Sequence, residues 1–411
     1  MVRSKYLKLY RKFLGSVVRP KFGIKNQLTR GFKVLYLLSS AAIEIVVDTV
    51  YFWRSRNRQI IANPRRILVI KVDQLGDILF STLLVPAIKS RYPQAQIDFL
   101  IRPGAECLLS GNPGIARVYR WNNVVLDLLP GRGRSVGIME KIRENLGTRK
   151  ALRGNGYDVA INARAYPPSS NFFWSGLAKV LIAFDISEQS SLADRWADYD
   201  LDAEDWRNYA NLLSPLGIPP SDVGLCGEFF NCDAANPMNG KAPYAVISPI
   251  TFDKDRQWKP EHWASLIAGL SSLGVNVALT GMPSQHEYLE QIALPALQRE
   301  GRVLVFTNLQ IPEFGALMKD AAVFVGIDSF PAHLALALNR PVRLLMNNEV
   351  YFLKGYSQPR FASEARSMIS VHGLISFFDV KSALPDELIA SCRQTIRERT
   401  GIGVSGKVVQ A

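Results

Sequence analysis

The sequence predicts an α/β protein built as two successive halves, each alternating strand and helix around a parallel sheet. Three observations carry that prediction. Short unbroken apolar runs, such as 67–70 and 244–247, suit strands buried on both faces. Helix-period patterns follow them, as in Ile78, Leu79, Leu83, Leu84, Ala87 and Ile88. Finally, 411 residues with a 48% hydrophobic fraction suffice for two full cores.

In the first half, over 66–217, the opening strand at 67–70 runs into Lys71-Val72-Asp73-Gln74-Leu75-Gly76-Asp77. Gly76-Asp77 breaks the apolar run, which puts Asp77 in the first turn of the following helix. Ligands bind there in open α/β sheets, at the carboxyl ends of strands. The same position also suits a plain helix-capping role. Further strands are expected at 97–101, 118–119, 158–161 and 181–184. The stretch 187–243 is poor in strand pattern, with a helix at 204–216, and 218–242 reads as the connection.

The second half, over 243–384, repeats the alternation. Strands are expected at 244–247, 275–280, 303–306, 323–325 and 342–346. Helices are expected at 260–273, 284–299, 312–319 and 331–338. Residues 385–411 form a closing amphipathic helix and tail.

The charge is unevenly placed. Residues 1–66 hold 15 Lys and Arg against Glu44 and Asp48, so the whole net charge of +13 sits on an N-terminal extension, 1–65, and the Arg66 that follows it. Within it, 34–53 is apolar and long enough to span a bilayer. Glu44 and Asp48 lie four apart near its middle, where each would cost a few kcal/mol in hydrocarbon. The expectation is a helix lying at a membrane surface, or an amphipathic helix packed on its own domain. An anionic membrane would meet residues 1–58, and no nucleic-acid motif accompanies the charge. No secretory signal is visible, and four scattered cysteines suit a reduced compartment. The expected location is cytoplasmic, peripheral at the inner face of the membrane.

Neither half carries Gly-x-Gly-x-x-Gly or a P-loop, which argues against a simple dehydrogenase or NTPase. Three other stretches stand out: 71–77; Ser248-Pro249-Ile250-Thr251 through Arg256-Gln257-Trp258-Lys259-Pro260; and Gly326-Ile327-Asp328-Ser329-Phe330-Pro331-Ala332-His333. In this order, with "RYPQAQIDFLIRPG" and "NYANLLSPLGIP" between them, they resemble glycosyltransferase family 9, the heptosyltransferase-like enzymes.

The resemblance implies a GT-B architecture, two Rossmann-like domains facing a cleft. It also implies transfer of a sugar such as heptose from a nucleotide-sugar, ADP-heptose in the family, to a lipopolysaccharide-type or other surface glycan, with inversion. No metal or other cofactor is implied. Asp77 matches the family's general base, and a carboxylate at a strand end suits that task. Lys71 matches a basic residue assisting the phosphates. Thr251 and Arg256 match a phosphate-binding pair, with Arg where the family usually has Lys. Asp328, Ser329 and His333 match the family's Asp-(Ser/Thr)-Gly-x-x-His loop, whose backbone N–H groups cradle the diphosphate at a helix N-terminus. Phe330 replaces that loop's Gly, Leu83 replaces a usual Pro, and 303–309 offers no acid for a ribose. Phe330 keeps one alternative open, a non-catalytic GT-B protein that binds nucleotide or glycan; a sugar-nucleotide epimerase is a third reading, which needs further acid/base groups and which the matched motifs point away from.

Overall fold

The structure is a computed structural model, and it describes residues 62–122, 137–164, 171–185, 193–199, 205–223, 232–250, 256–298, 302–347 and 375–400. The chain divides into two compact units, Met1–Leu225 and Cys226–Ala411.

The first unit runs β1 (Arg66–Lys71), α1 (Leu75–Ser81), α2 (Leu84–Arg91), β2 (Gln96–Ile101), β3 (Ile115–Arg120), α3 (Ile138–Gly154), β4 (Tyr157–Asn162), α4 (Asn171–Trp174), β5 (Ala178–Asp185), β6 (Arg195–Asp198) and α5 (Asp205–Asn211). Its strands form one parallel sheet in the order β3-β2-β1-β4-β5-β6. β1 is central: Val69 pairs with Phe99 on one side and Ile161 on the other. Ile67, Leu68, Val69 and Ile70 are fully buried, as a strand covered on both faces requires.

The apolar pattern over 78–88 reads as one helix but is two. A continuous helix would need the Pro86 N–H to bond the Thr82 carbonyl, and proline has none. The chain instead closes α1 at Thr82 and restarts, with Pro86 in the first turn of α2. β6 is a strand within the stretch read as strand-poor. It is a four-residue edge strand in which Ala197 alone is buried, too short for a period to show.

The second unit runs β7 (Tyr244–Ser248), α6 (Pro260–Ser272), β8 (Asn276–Thr280), α7 (His286–Leu297), β9 (Val303–Phe306), α8 (Ile311–Lys319), β10 (Val323–Ile327), α9 (Phe330–Ala337), β11 (Val342–Met346), β12 (Ile375–Asp379) and α10 (Pro385–Thr400). Its parallel sheet has the order β12-β11-β10-β7-β8-β9. β12 extends the expected strand set. The core joins Trp258, Trp263, Leu266 and Leu270 to Leu388, Cys392 and Ile396 of α10. A side chain at Gly269 of α6 would collide with Ile389 of α10, so glycine permits the close approach of the two helices. Cys392 is fully buried, and burial pushes its thiol up to about 12 despite Arg343 nearby.

Both sheets have one topology. The order of connection reverses between β1 and β4 in the first unit, and between β7 and β10 in the second. Ligands in open α/β sheets bind at the carboxyl ends of such strand pairs. The apolar stretch 34–53 and the rest of the N-terminal extension to residue 61 lie outside the described residues. No helix among the described residues is long and apolar enough to cross a membrane.

Candidate functional site

In the first unit, Lys71 ends β1 and is 5% exposed. Its ammonium donates to the Ala163 carbonyl at 2.9 Å and pairs with Asp73 Oδ2 at 2.9 Å. It also lies 5.1 Å from the centre of the Tyr209 ring. The other oxygen of Asp73, Oδ1, meets Arg164 Nε at 2.8 Å. One carboxylate thus holds a cation on each oxygen, Lys71 from β1 and Arg164 from just beyond β4. Burial alone would raise the Asp73 pKa; Lys71 and Arg164 reverse that and hold it below the ordinary carboxylate value. Asn162, the last residue of β4, fixes the same corner. It donates to Asn171 Oδ1 at 2.7 Å and accepts from the Arg164 N–H at 3.2 Å.

Asp77 lies in the first turn of α1, at the end of β1. The N-cap is Gln74, which makes no side-chain capping bond, so Asp77 does not cap this helix. Its side chain is 44% exposed and lies 3.9 Å from Lys71 Nζ. The buried ammonium of Lys71 is turned toward Ala163, Asp73 and Asp77.

The second unit builds its site at the matching place. Gly326 of β10 sits beside Ser248 of β7 in the ladder. A Cβ at Gly326 would come 2.9 Å from the Ser248 carbonyl oxygen, so only glycine lets the two central strands approach there. The Ser248 and Thr280 hydroxyls share a hydrogen bond of 2.5 Å. Arg256 Nη1 lies 3.4 Å from Asp328 Oδ2, and His333 Nε2 lies 3.8 Å from Asp328 Oδ1. Ser329 is the N-cap of α9, but its hydroxyl donates back to the Ile327 carbonyl at 3.0 Å. Among the described residues, no side chain caps the N-terminus of α9. Pro331 has no N–H and the Ala332 and His333 N–H groups donate to the Ser329 carbonyl, so it is the helix dipole that would favour an anion there. Thr251 lies outside the described residues.

Phe330 begins α9 with ordinary helical backbone: Asn339 is the one non-glycine residue with positive φ among the described residues. Its ring packs against Phe314 of α8, centroids 6.4 Å apart. The position needs no glycine for its backbone, and the side chain has a place to go.

Burial lowers the His333 pKa to about 4, with Asp328 pulling weakly the other way. The ring is thus neutral in the fold at neutral pH. Below about pH 6.5 the unfolded chain binds the proton that the folded chain refuses, so His333 removes stability as pH falls toward 4. The loss is on the order of 3 kcal/mol. Denaturant unfolding at several pH values should show a steeper acid loss for the wild type than for His333→Gln.

Arg256, Asp328, Ser329 and His333 therefore gather at one end of the second sheet, and Lys71 and Asp77 at one end of the first. Asp73, Arg164 and Tyr209 escaped the sequence reading. Asp73 stands in the same run as Lys71 and Asp77, but its partner Arg164 is 91 residues away, joined to it only by the pairing of β1 with β4.

Residues 146–345 match the family model of glycosyltransferase family 9 (heptosyltransferase). That stretch is similar to the family's glycosyltransferase domain. The match includes the whole Arg256–His333 cluster. Lipopolysaccharide heptosyltransferase 3 of Escherichia coli K12 is 25% identical over 303 residues, covering 65% of this chain and 78% of that protein. Among solved structures, the E. coli heptosyltransferase WaaC with ADP has a TM-score of 0.63 at 17% identity, covering 80% of this chain and 99% of WaaC. The E. coli ADP-heptose lps heptosyltransferase II has a TM-score of 0.61 at 18% identity, covering 82% and 99%. These likenesses establish the fold alone: two Rossmann-like sheets of the GT-B class.

Proposed function

We propose that this protein is an inverting, metal-independent glycosyltransferase. It moves heptose or a similar sugar from an ADP-activated donor to a lipopolysaccharide-type acceptor. The observation that carries this reading is Asp77. It is an exposed carboxylate at the strand-order reversal of the first sheet, not used as a helix cap, in a chain whose residues 146–345 match the family 9 model. The curated relatives, named lipopolysaccharide heptosyltransferases, favour a transferase over a binding-only protein or an epimerase.

In the reaction, Asp77 takes the proton of the acceptor hydroxyl as its oxygen attacks the anomeric carbon. The bond from that carbon to the diphosphate breaks, and ADP leaves with the electron pair. Arg256 and the uncapped N-terminus of α9 offset the charge that grows on the leaving group. Phe330 does not oppose this, since its ring is taken up by Phe314. Residues 1–58 would hold the enzyme peripherally at the inner membrane face, near a lipid-linked acceptor.

Arg256→Ala tests the donor side. A diphosphate loses a charge-assisted partner of roughly 1.5–3 kcal/mol, so ADP should bind about ten- to a hundredfold more weakly. Arg256→Lys, a point charge in place of a fork, should fall between. Titration calorimetry with ADP reads both. Chelation by EDTA should leave turnover intact. Activity lost with EDTA and restored by magnesium would overturn the metal-free mechanism.

A further inference from the structure

Helix α3 leaves most of its surface uncovered. Of its buried residues, Leu152 packs into the core and Asn145 ties the helix to the end of β3. Asn145 accepts from the Asn122 N–H and donates to the Asn122 carbonyl, both at 2.8 Å. Arg149, on the same side, donates to the Phe173 and Ser175 carbonyls.

The exposed side next to Arg149 carries Met139, Ile142 and Leu146, exposed by 76%, 37% and 62%. At 3.6 residues per turn, Arg143, Lys150 and Arg153 fall on this same side, and all three are exposed. The acids of the helix do not. Glu140 and Glu144 lie on a flank, and Glu144 accepts from Asn122 Nδ2 at 2.7 Å. The outward face is thus apolar at one end, basic at the other and free of acids. Phe173, 42% exposed, extends the apolar surface beside the carbonyl that holds Arg149.

We propose that the outward face of α3 docks on the headgroup layer of an anionic phospholipid bilayer. Aliphatic side chains beside cations suit a surface that offers hydrocarbon just beneath negative charge. A nucleic acid would use the cations but has no place for Met139, Ile142 and Leu146. The face is separate in sequence from the basic extension, and it is independent of the reaction proposed above.

Flotation of the full chain with vesicles tests this. Binding should be seen with phosphatidylglycerol in phosphatidylcholine, and should be weak with phosphatidylcholine alone. Met139→Ser/Ile142→Ser/Leu146→Ser and Arg143→Glu/Lys150→Glu should each lower the affinity about tenfold or more, with an unchanged melting temperature. Unchanged binding in both variants would overturn the proposal. So would loss in the charge variant alone, which would leave general attraction to polyanions; RNA binding lost in the same variants would assign the face to nucleic acid. A clearly lowered melting temperature in the serine variant would mean that the chain itself covers the face, and would overturn the proposal too.

Discussion

Asp77→Asn is expected to leave the protein folded and able to bind ADP while lowering turnover by about a hundredfold or more. The substitution is nearly isosteric and removes the only property the mechanism asks of the residue, its capacity to take a proton. Structure gives little reason for any other loss. Asp77 is not the N-cap, its side chain is 44% exposed, and its ion pair with Lys71 is long at 3.9 Å. Pairs so exposed contribute little stability. The measurement is single-turnover sugar transfer alongside ADP titration and thermal melting. Turnover within a few fold of the wild type would remove Asp77 from the chemistry. A joint fall in turnover and melting temperature would mean a structural role.

Asp73→Asn is expected to act through the fold, by roughly 3–5 kcal/mol, because two nearly buried cations lose their shared counter-charge. Lys71 is 6% exposed and Arg164 15%, so water cannot stand in for the carboxylate. The wild-type contribution has a defined pH sign. The Asp73 pKa is lowered in the fold, so its stabilisation is present above the unfolded carboxylate pKa and is lost as pH falls through the folded one. Denaturant unfolding across the acid range should show the gap between wild type and Asp73→Asn closing as pH drops. A constant gap would mean that the side chain acts through shape and not charge.

What could be read from the residues follows physical range. β1 and β7 announce themselves because burial on both faces demands an unbroken apolar run, a local signal. β6 and β12 do not: they lie at sheet edges, and β6 is four residues with one buried side chain. The break between α1 and α2 was written in Pro86 but hidden under a continuous apolar period. At the candidate site, motif order points to Asp77, Arg256, Asp328 and His333, and the structure puts each at the carboxyl end of its sheet. Motif order also points to Lys71 as a residue assisting phosphates; its ammonium is bound to the Ala163 carbonyl and Asp73. The Asp73–Arg164 pair needed the sheet order, since nothing within either local stretch points to the other.

Cys392 has a further use, as a clock. Its side chain is buried in the core of the second unit, and burial pushes its thiol up to about 12, so a disulfide reagent meets neither an open path nor a thiolate. Reaction requires α10 to lift away, and the rate of labelling then reports how often the second unit opens. Cys107 and Cys232 are partly exposed and should react first. The slow phase assigned to Cys392 by mass spectrometry would time the breathing of this unit under any ligand, with no residue substituted.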